Sequence, residues 1–350
     1  MDIGFYKGKK VLITGHTGFK GSWMTTMLVN AGAEVIGYST CSKDEPRLFD
    51  LCGVRSQITH IKGDVRDPEH LKSVFSEYQP EIVIHMAAQP LVRQSYKEPL
   101  ETYSTNVMGT VNILECVRMN PCVKSFLNVT TDKVYENKEW EWGYRENEPL
   151  DGFDPYSNSK SCSELVTHAY KNSFFADGHT AISTARAGNV IGGGDFAVDR
   201  IIPDCVRAAI NGKGIIVRHP RSIRPYQHVL EAIWAYLMIA AMQYENGSFA
   251  GYYNVGPDDR DCYTTERLVD TFVKLWGGNL NWVNCDDGGP HEAGFLKLDC
   301  SKIKAVFGWK PRWDLETSVR KVVEWSQAWA SGEDVRTVMN SQIEEFFKDE

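Results

Sequence analysis

The sequence predicts an α/β protein, a doubly wound parallel sheet followed by a smaller mixed α/β domain. Three observations carry this. Short apolar runs recur at residues 10–14, 34–39, 58–61, 81–86, 125–129 and 181–186, as expected of strands buried on both faces. Helical stretches lie between them, so strand and helix alternate. Beyond residue 186 the alternation loosens, which divides the chain into a first domain at 1–186 and a second at 187–350. Some segments of the second are free to cross back to the first sheet.

The first run, Lys10-Val11-Leu12-Ile13-Thr14, leads into Gly15-His16-Thr17-Gly18-Phe19-Lys20-Gly21. A helix is expected over 22–31 and a second strand over 34–39. This β–glycine loop–α–β unit is the Rossmann arrangement, in which glycines make the turn and let a pyrophosphate approach the helix N-terminus. Gly15, Thr17, Gly18, Phe19, Lys20 and Gly21 are therefore candidate dinucleotide contacts. The second strand ends in Tyr38-Ser39-Thr40, without the acid that usually grips a ribose 2′-hydroxyl. Lys43, Asp44, Glu45 and Arg47 follow a few residues late, so the residues leave NAD and NADP open. Asp64 and Val65 follow the third strand, where Asp64 is placed to reach an adenine edge. The fourth ends in Ala87-Ala88-Gln89, small residues that leave room for a ligand. An amphipathic segment over 100–119 contains Asn106. The fifth strand leads into Thr130-Thr131-Asp132-Lys133.

The next helix carries the chemistry. Asp154 is its expected cap and Pro155 its first residue. Tyr156 and Lys160 are then one turn apart on one face. A phenol about 4 Å from an ammonium, at an effective dielectric near 20, gains roughly 4 kcal/mol toward its ionised form. That is enough to make Tyr156 a base near neutral pH. The carboxyl ends of successive strands share one crevice in an open parallel sheet. A dinucleotide there, beside Tyr156, Lys160 and Thr131, points to hydride transfer from a carbinol carbon. Asp132 and Lys133 add a carboxyl and an amine that plain dehydrogenation does not need. They suit removal of an activated proton and protonation of a leaving hydroxyl. Downstream, Asn189 follows the sixth strand, and Arg200, Arg218, Arg221 and Arg224 supply guanidinium groups suited to a diphosphate.

Composition narrows the class. The chain is 42% hydrophobic and 24% charged, with a net charge of −8. That balance speaks against generic nucleic-acid or acidic-membrane binding. No run reaches the roughly 18 apolar residues a membrane span needs, and the N-terminus does not read as a signal peptide. Nine scattered cysteines without a Cys-x-x-Cys pair read as buried free thiols of a cytoplasmic protein, with no metal site.

The segments Gly15-x-x-Gly18-x-x-Gly21, Thr131-Asp132, Tyr156-x-x-x-Lys160 and Tyr253-Asn254-Val255-Gly256, in this order, resemble the extended short-chain dehydrogenase/reductases that act on nucleotide sugars. Within that family, the segments 15–23, 131–137, 186–195, 221–228 and 290–293 are similar to the 4,6-dehydratases. The resemblance implies NAD as cofactor and CDP-D-glucose as substrate. It implies oxidation at C4, loss of water across C5 and C6, and return of hydride to C6, giving CDP-4-keto-6-deoxy-D-glucose for the dideoxysugars of O-antigens. It also implies that Asn189, Arg200 and Arg224 contact the substrate's diphosphate or its surroundings, and that His291 closes over the cytosine. Related dehydratases usually carry Glu where this chain has Lys133, so Lys133 becomes the expected C5 base and Asp132 the acid. A homodimer or tetramer is implied, with the helices near 100–119 and 154–174 pairing with their copies through Leu165, Val166 and Tyr170. The competing readings are a 4-epimerase, a 4,6-dehydratase of another nucleotide sugar, and a dinucleotide-sensing regulator.

Overall fold

The computed structural model describes residues 2–41, 46–285, 288–289 and 293–348. Seven strands form one sheet: β1 (Lys10–Thr14), β2 (Glu34–Ser39), β3 (Thr59–Lys62), β4 (Ile82–His85), β5 (Ser125–Thr131), β6 (Ala181–Ala187) and β7 (Tyr252–Val255). Their order is β7-β6-β5-β4-β1-β2-β3, and every pair is parallel. The order reverses between β1 and β4, which opens the crevice where ligands bind in such sheets. Thr14 fixes this point. Its Oγ1 accepts the main-chain N–H groups of Met86 and Ala87, both at 3.1 Å.

Helices cover both faces, because a parallel sheet must bury each side. On one side lie α1 (Phe19–Asn30) and, from the second half of the chain, the long helix Val229–Glu245. That helix is apolar nearly all round, with Leu230, Ile233, Leu237 and Ile239 fully buried, as its place between sheet and neighbouring helices requires. On the other side lie α2 (Pro68–Tyr78), α3 (Gly109–Met119) and α4 (Pro155–Phe174), whose Leu71, Phe75, Ile113 and Leu114 pack with Leu12, Val83 and Phe126 of the strands. A third core, built on Ile202, Ile215, Leu268, Phe272, Val319 and Val322, forms the smaller lobe beyond the strand ends.

The doubly wound parallel sheet and the smaller mixed lobe are both present. Several bounds move. α1 begins at Phe19 rather than residue 22, so its N-terminus lies inside the glycine loop. β5 runs on to Thr131. The segment expected as one helix over 100–119 contains a π-helical turn at Ser104–Met108. Helices Ser301–Phe307 and Val335–Lys348 were not anticipated. All nine cysteines are free; Cys52, Cys116, Cys205 and Cys300 are buried, whereas Cys285 is exposed. Among the described residues no helix is long and apolar enough to cross a membrane.

Candidate active site

The glycine loop is built for close approach. Gly15 has φ +78°, and a Cβ there would meet the Ala87 nitrogen at 2.9 Å. A Cβ on Gly21 would sit 2.2 Å from the Gly15 carbonyl oxygen. Both positions therefore require glycine for packing. Gly18 differs, since a Cβ would have only an ordinary 3.4 Å contact. As the N-cap of α1 it offers no side-chain hydrogen bond. The helix therefore presents N–H donors and its positive dipole end to a ligand, which fits the pyrophosphate of a dinucleotide. Thr17 bonds Ser39 at 2.8 Å, tying the loop to the end of β2.

Other candidate cofactor residues divide. Ala87 and Ala88 stand at the end of β4, and Gln89 continues from them. Asn106 braces the segment after β4. It is buried, its Oδ1 accepts the Gln89 N–H at 2.8 Å, and its Nδ2 donates to the Gln89 carbonyl at 3.1 Å and to Ser159 at 2.9 Å. The π-helical turn rotates it into that position. Asp64 is held by Arg66 through both carboxylate oxygens, and Val65 is buried. Residues 43–45 and His291 lie outside the described residues. Arg47 pairs with Asp50 at 2.6 Å.

A cleft of about 350 Å³ opens at the strand ends, lined by Phe19, Lys20, Thr130, Thr131, Asp132, Lys133, Tyr156, Asn189, Arg200 and Arg224, among others. It thus gathers residues from the glycine loop, β5, α4 and the segment after β6. The cap of α4 forms as expected: Asp154 accepts the Ser157 N–H at 3.0 Å, with Pro155 in the first turn.

Burial in the cleft opposes the ionisation expected of Tyr156. Tyr156 is pushed up to about 12 by burial, opposed by the Thr131 hydroxyl and the Arg200 charge. Lys160 donates to the Val129 carbonyl at 3.1 Å. Its own ammonium is lowered to about 7 by burial and by Lys20, against the pull of Glu164. The loss of hydration in the cleft outweighs the pairwise attraction counted from sequence. Lys20 is lowered to about 8 by burial and Arg200, opposed by Asp132 and Asp195. Asp132 is buried and its carboxyl is raised by burial, against Lys133, Thr131 and Arg224. Its Oδ1 accepts from Thr131 at 3.0 Å; Oδ2 is buried without a hydrogen-bond partner among the described residues.

Lys160 allows a test of this burial. Its value falls from 10.5 to about 7, so between these limits the unfolded chain binds a proton that the native state does not. The native state therefore loses stability as pH falls through that window. Lys160→Met is expected to abolish activity and to gain in thermal midpoint relative to wild type as pH is lowered from about 9 to about 7. A midpoint difference independent of pH in calorimetry would contradict the assignment.

Arg200 donates to Asp195 at 3.0 Å. Arg224 donates to the carbonyls of Ile223, at 2.9 Å, and Ala293. Arg221 is exposed and outside the cleft lining, whereas Arg218 is within it. Sequence reasoning missed the network beneath the cleft. Glu164, buried on α4, accepts from Thr130, from Thr184 at 2.8 Å and from Arg186 at 3.0 Å. Arg186 also donates to the Tyr135 hydroxyl at 2.9 Å, which donates to Asn254 of β7 at 2.6 Å. Glu164 lies four residues after Lys160 on the same helix face, and that spacing was the available signal. Among the described residues no cluster of three His, Cys, Asp or Glu is placed to hold a metal ion.

A Rossmann sheet with a tyrosine, a lysine and a threonine at its strand ends defines an oxidoreductase-type nucleotide-binding protein. The chain belongs to the GDP-mannose 4,6-dehydratase family, whose model matches residues 12–322. It is 48% identical to CDP-glucose 4,6-dehydratase of Salmonella typhimurium over 99% of this chain and 98% of that one. It is 26% identical to dTDP-glucose 4,6-dehydratase of Haemophilus influenzae over 90% of this chain and 97% of that one. Among solved structures, dTDP-glucose 4,6-dehydratase of Bacillus anthracis in complex with NAD matches with a TM-score of 0.78 at 22% identity, covering 94% of this chain and all of that one. UDP-glucose 4-epimerase of Thermotoga maritima with UDP-glucose matches at 0.79 and 22%, covering 91% and 99%. The two structural likenesses establish the fold.

Proposed function

We propose that the protein converts CDP-D-glucose to CDP-4-keto-6-deoxy-D-glucose and water, with NAD as a cofactor restored in each turnover. The observation that carries this reading is the pair Asp132-Lys133 in the same cleft as Tyr156 and Thr131, with the Asp132 carboxyl raised by burial. The relative at 48% identity supports the substrate. The first domain, 1–186, carries the cofactor and catalytic residues, and 187–350 mainly holds the nucleotide sugar.

The residues of the glycine loop, the α1 N-terminus and Ala87 to Gln89 would hold the dinucleotide. When bound, it supplies the hydride acceptor at C4 and the donor at C6. Thr131 bonds the reacting oxygen, and Tyr156 as tyrosinate takes the C4 hydroxyl proton. Ionisation of Tyr156 is favoured by Thr131 and Arg200. The 4-keto group acidifies the C5 proton, which the amine of Lys133 is placed to remove. Asp132, whose carboxyl is raised by its burial, gives a proton to the C6 hydroxyl as it leaves. Lys133 then returns a proton to C5. With the C4 hydride restored at C6 and the proton on Tyr156 passing through solvent to replace the one Asp132 gave up, the sum is loss of one water with no net oxidation. Asn189, Arg200 and Arg224 hold the diphosphate.

For assembly we propose a homodimer or tetramer. Leu165 and Met108 are about half exposed, and Leu100 is 87% exposed on the neighbouring helical segment, which supports a shared helical face. Val166 and Tyr170, expected in that contact, pack against the protein's own core. The free cysteines accord with a cytoplasmic enzyme serving O-antigen dideoxysugar assembly.

The test is incubation with CDP-, dTDP-, GDP- and UDP-glucose, with and without NAD, reading the alkali-induced chromophore of a 4-keto sugar. Product from CDP-glucose is expected. Product from another nucleotide sugar instead would remove the substrate, and a 4-epimer without keto sugar would remove the reaction.

A further inference from the structure

The lining of the cleft includes, besides Arg200, the residues Ile216, Val217, Arg218 and His219, with Asp199 beside Arg218. Asp199 has φ +61°, in the left-handed region. Among the described residues, four non-glycine residues share a positive φ, and Asp199 alone of them lines this cleft. Such a backbone costs about 1 kcal/mol or more and persists where the surroundings hold it in place. Arg218 does so. Its Nη1 donates to Asp199 Oδ1 at 2.9 Å and its Nη2 to the Asp199 carbonyl at 3.3 Å. The nearby Asp204 is held by Arg207, and its other oxygen lies 3.9 Å from Arg218 Nη2. The Asp199–Arg218 pair is partly exposed, so it contributes little to stability.

We propose, resting on the reading above, that Asp199 and Arg218 recognise the pyrimidine edge and select cytosine over uracil and thymine. With the sugar at Thr131 and Tyr156 and the diphosphate at Arg200 and Arg224, the base falls at this part of the lining. Cytosine presents an amino donor at N4 beside an acceptor at N3; uracil and thymine present an acceptor at O4 beside an N3–H donor. A carboxylate accepts only and a guanidinium donates only. Asp199 therefore takes the N4 proton while Arg218 donates to N3. Against uracil both contacts meet like with like, and polar groups left so mismatched discriminate more than a missing methylene.

The test is binding of CMP and UMP to the NAD-loaded full-length protein by calorimetry, which does not depend on turnover. Wild type is expected to prefer CMP. Asp199→Asn keeps a residue that tolerates left-handed backbone and gives the site an amide donor able to face O4. It is expected to reduce the CMP preference by about 10- to 100-fold, and Arg218→Gln is expected to weaken CMP more than UMP. No CMP preference in wild type, or an unchanged preference in both variants, overturns the assignment. Preference for CMP in a protein that makes no keto sugar from CDP-glucose would leave this site standing and remove the reaction proposed for it.

Discussion

Lys133→Ala is expected to halt turnover after C4 has been oxidised, cutting formation of the deoxy product by about 10²- to 10⁴-fold. The residue reaches the cleft from the turn after β5, one position beyond the buried Asp132. Removing its amine leaves Tyr156, Thr131 and Lys160 in place, so the C4 proton and hydride still have acceptors. What is lost is the group that takes the C5 proton. The nucleotide sugar recovered on acid quench is then a 4-keto glucose that retains its 6-hydroxyl. A substrate labelled with deuterium at C5 gives a second readout. Wild type should release the label to solvent, and the variant should hold it. Washout at the wild-type rate would assign the base to another group and return Lys133 to a loop partner of Asp132.

Tyr156→Phe is expected to act one step earlier and at least as strongly, by about 10²- to 10⁴-fold on C4 oxidation itself. The phenol is the only group lost; the ring keeps its packing. No 4-keto species of any kind should accumulate, while binding of CMP and of NAD stays near wild type. The pH profile adds a sign. With Tyr156 pushed up to about 12 and Lys160 down to about 7, the rate should rise with pH as the phenol gives up its proton. A variant that still forms 4-keto glucose would place the first proton acceptor elsewhere.

Much of the frame was legible because parallel strands buried on both faces are written as apolar runs, and because β1, the glycine loop, α1 and β2 occur within about 30 residues. The strand Tyr252–Val255 was legible too, but not its place beside β6 at the sheet edge, since pairing across some 70 residues leaves no local mark. Thr131, Asp132 and Lys133 were legible as the end of the fifth strand and Tyr156 from its spacing to Lys160, while the roles of Asp132 and Lys133 leaned on the family resemblance. Glu164 was not legible, because a charged residue in a helix reads as solvated until its partners on β5 and β6 are known. Burial was equally invisible at Tyr156: Coulomb attraction to Lys160 was counted, and the cost of drying both groups was not. The bonds of Asn106 to Gln89 and Ser159 were not legible, because only the folded segment shows which way its amide points. Asp199 stood out only once its left-handed backbone and its bond to Arg218 were seen.

The most direct measurement follows a single atom. CDP-glucose carrying deuterium at C4 is turned over once by the purified protein, and the product is reduced and examined by NMR. The account expects the deuterium on C6 of the 6-deoxy product, since the hydrogen removed at C4 is the one restored at C6. Deuterium retained at C4, or lost to solvent without appearing at C6, would contradict it.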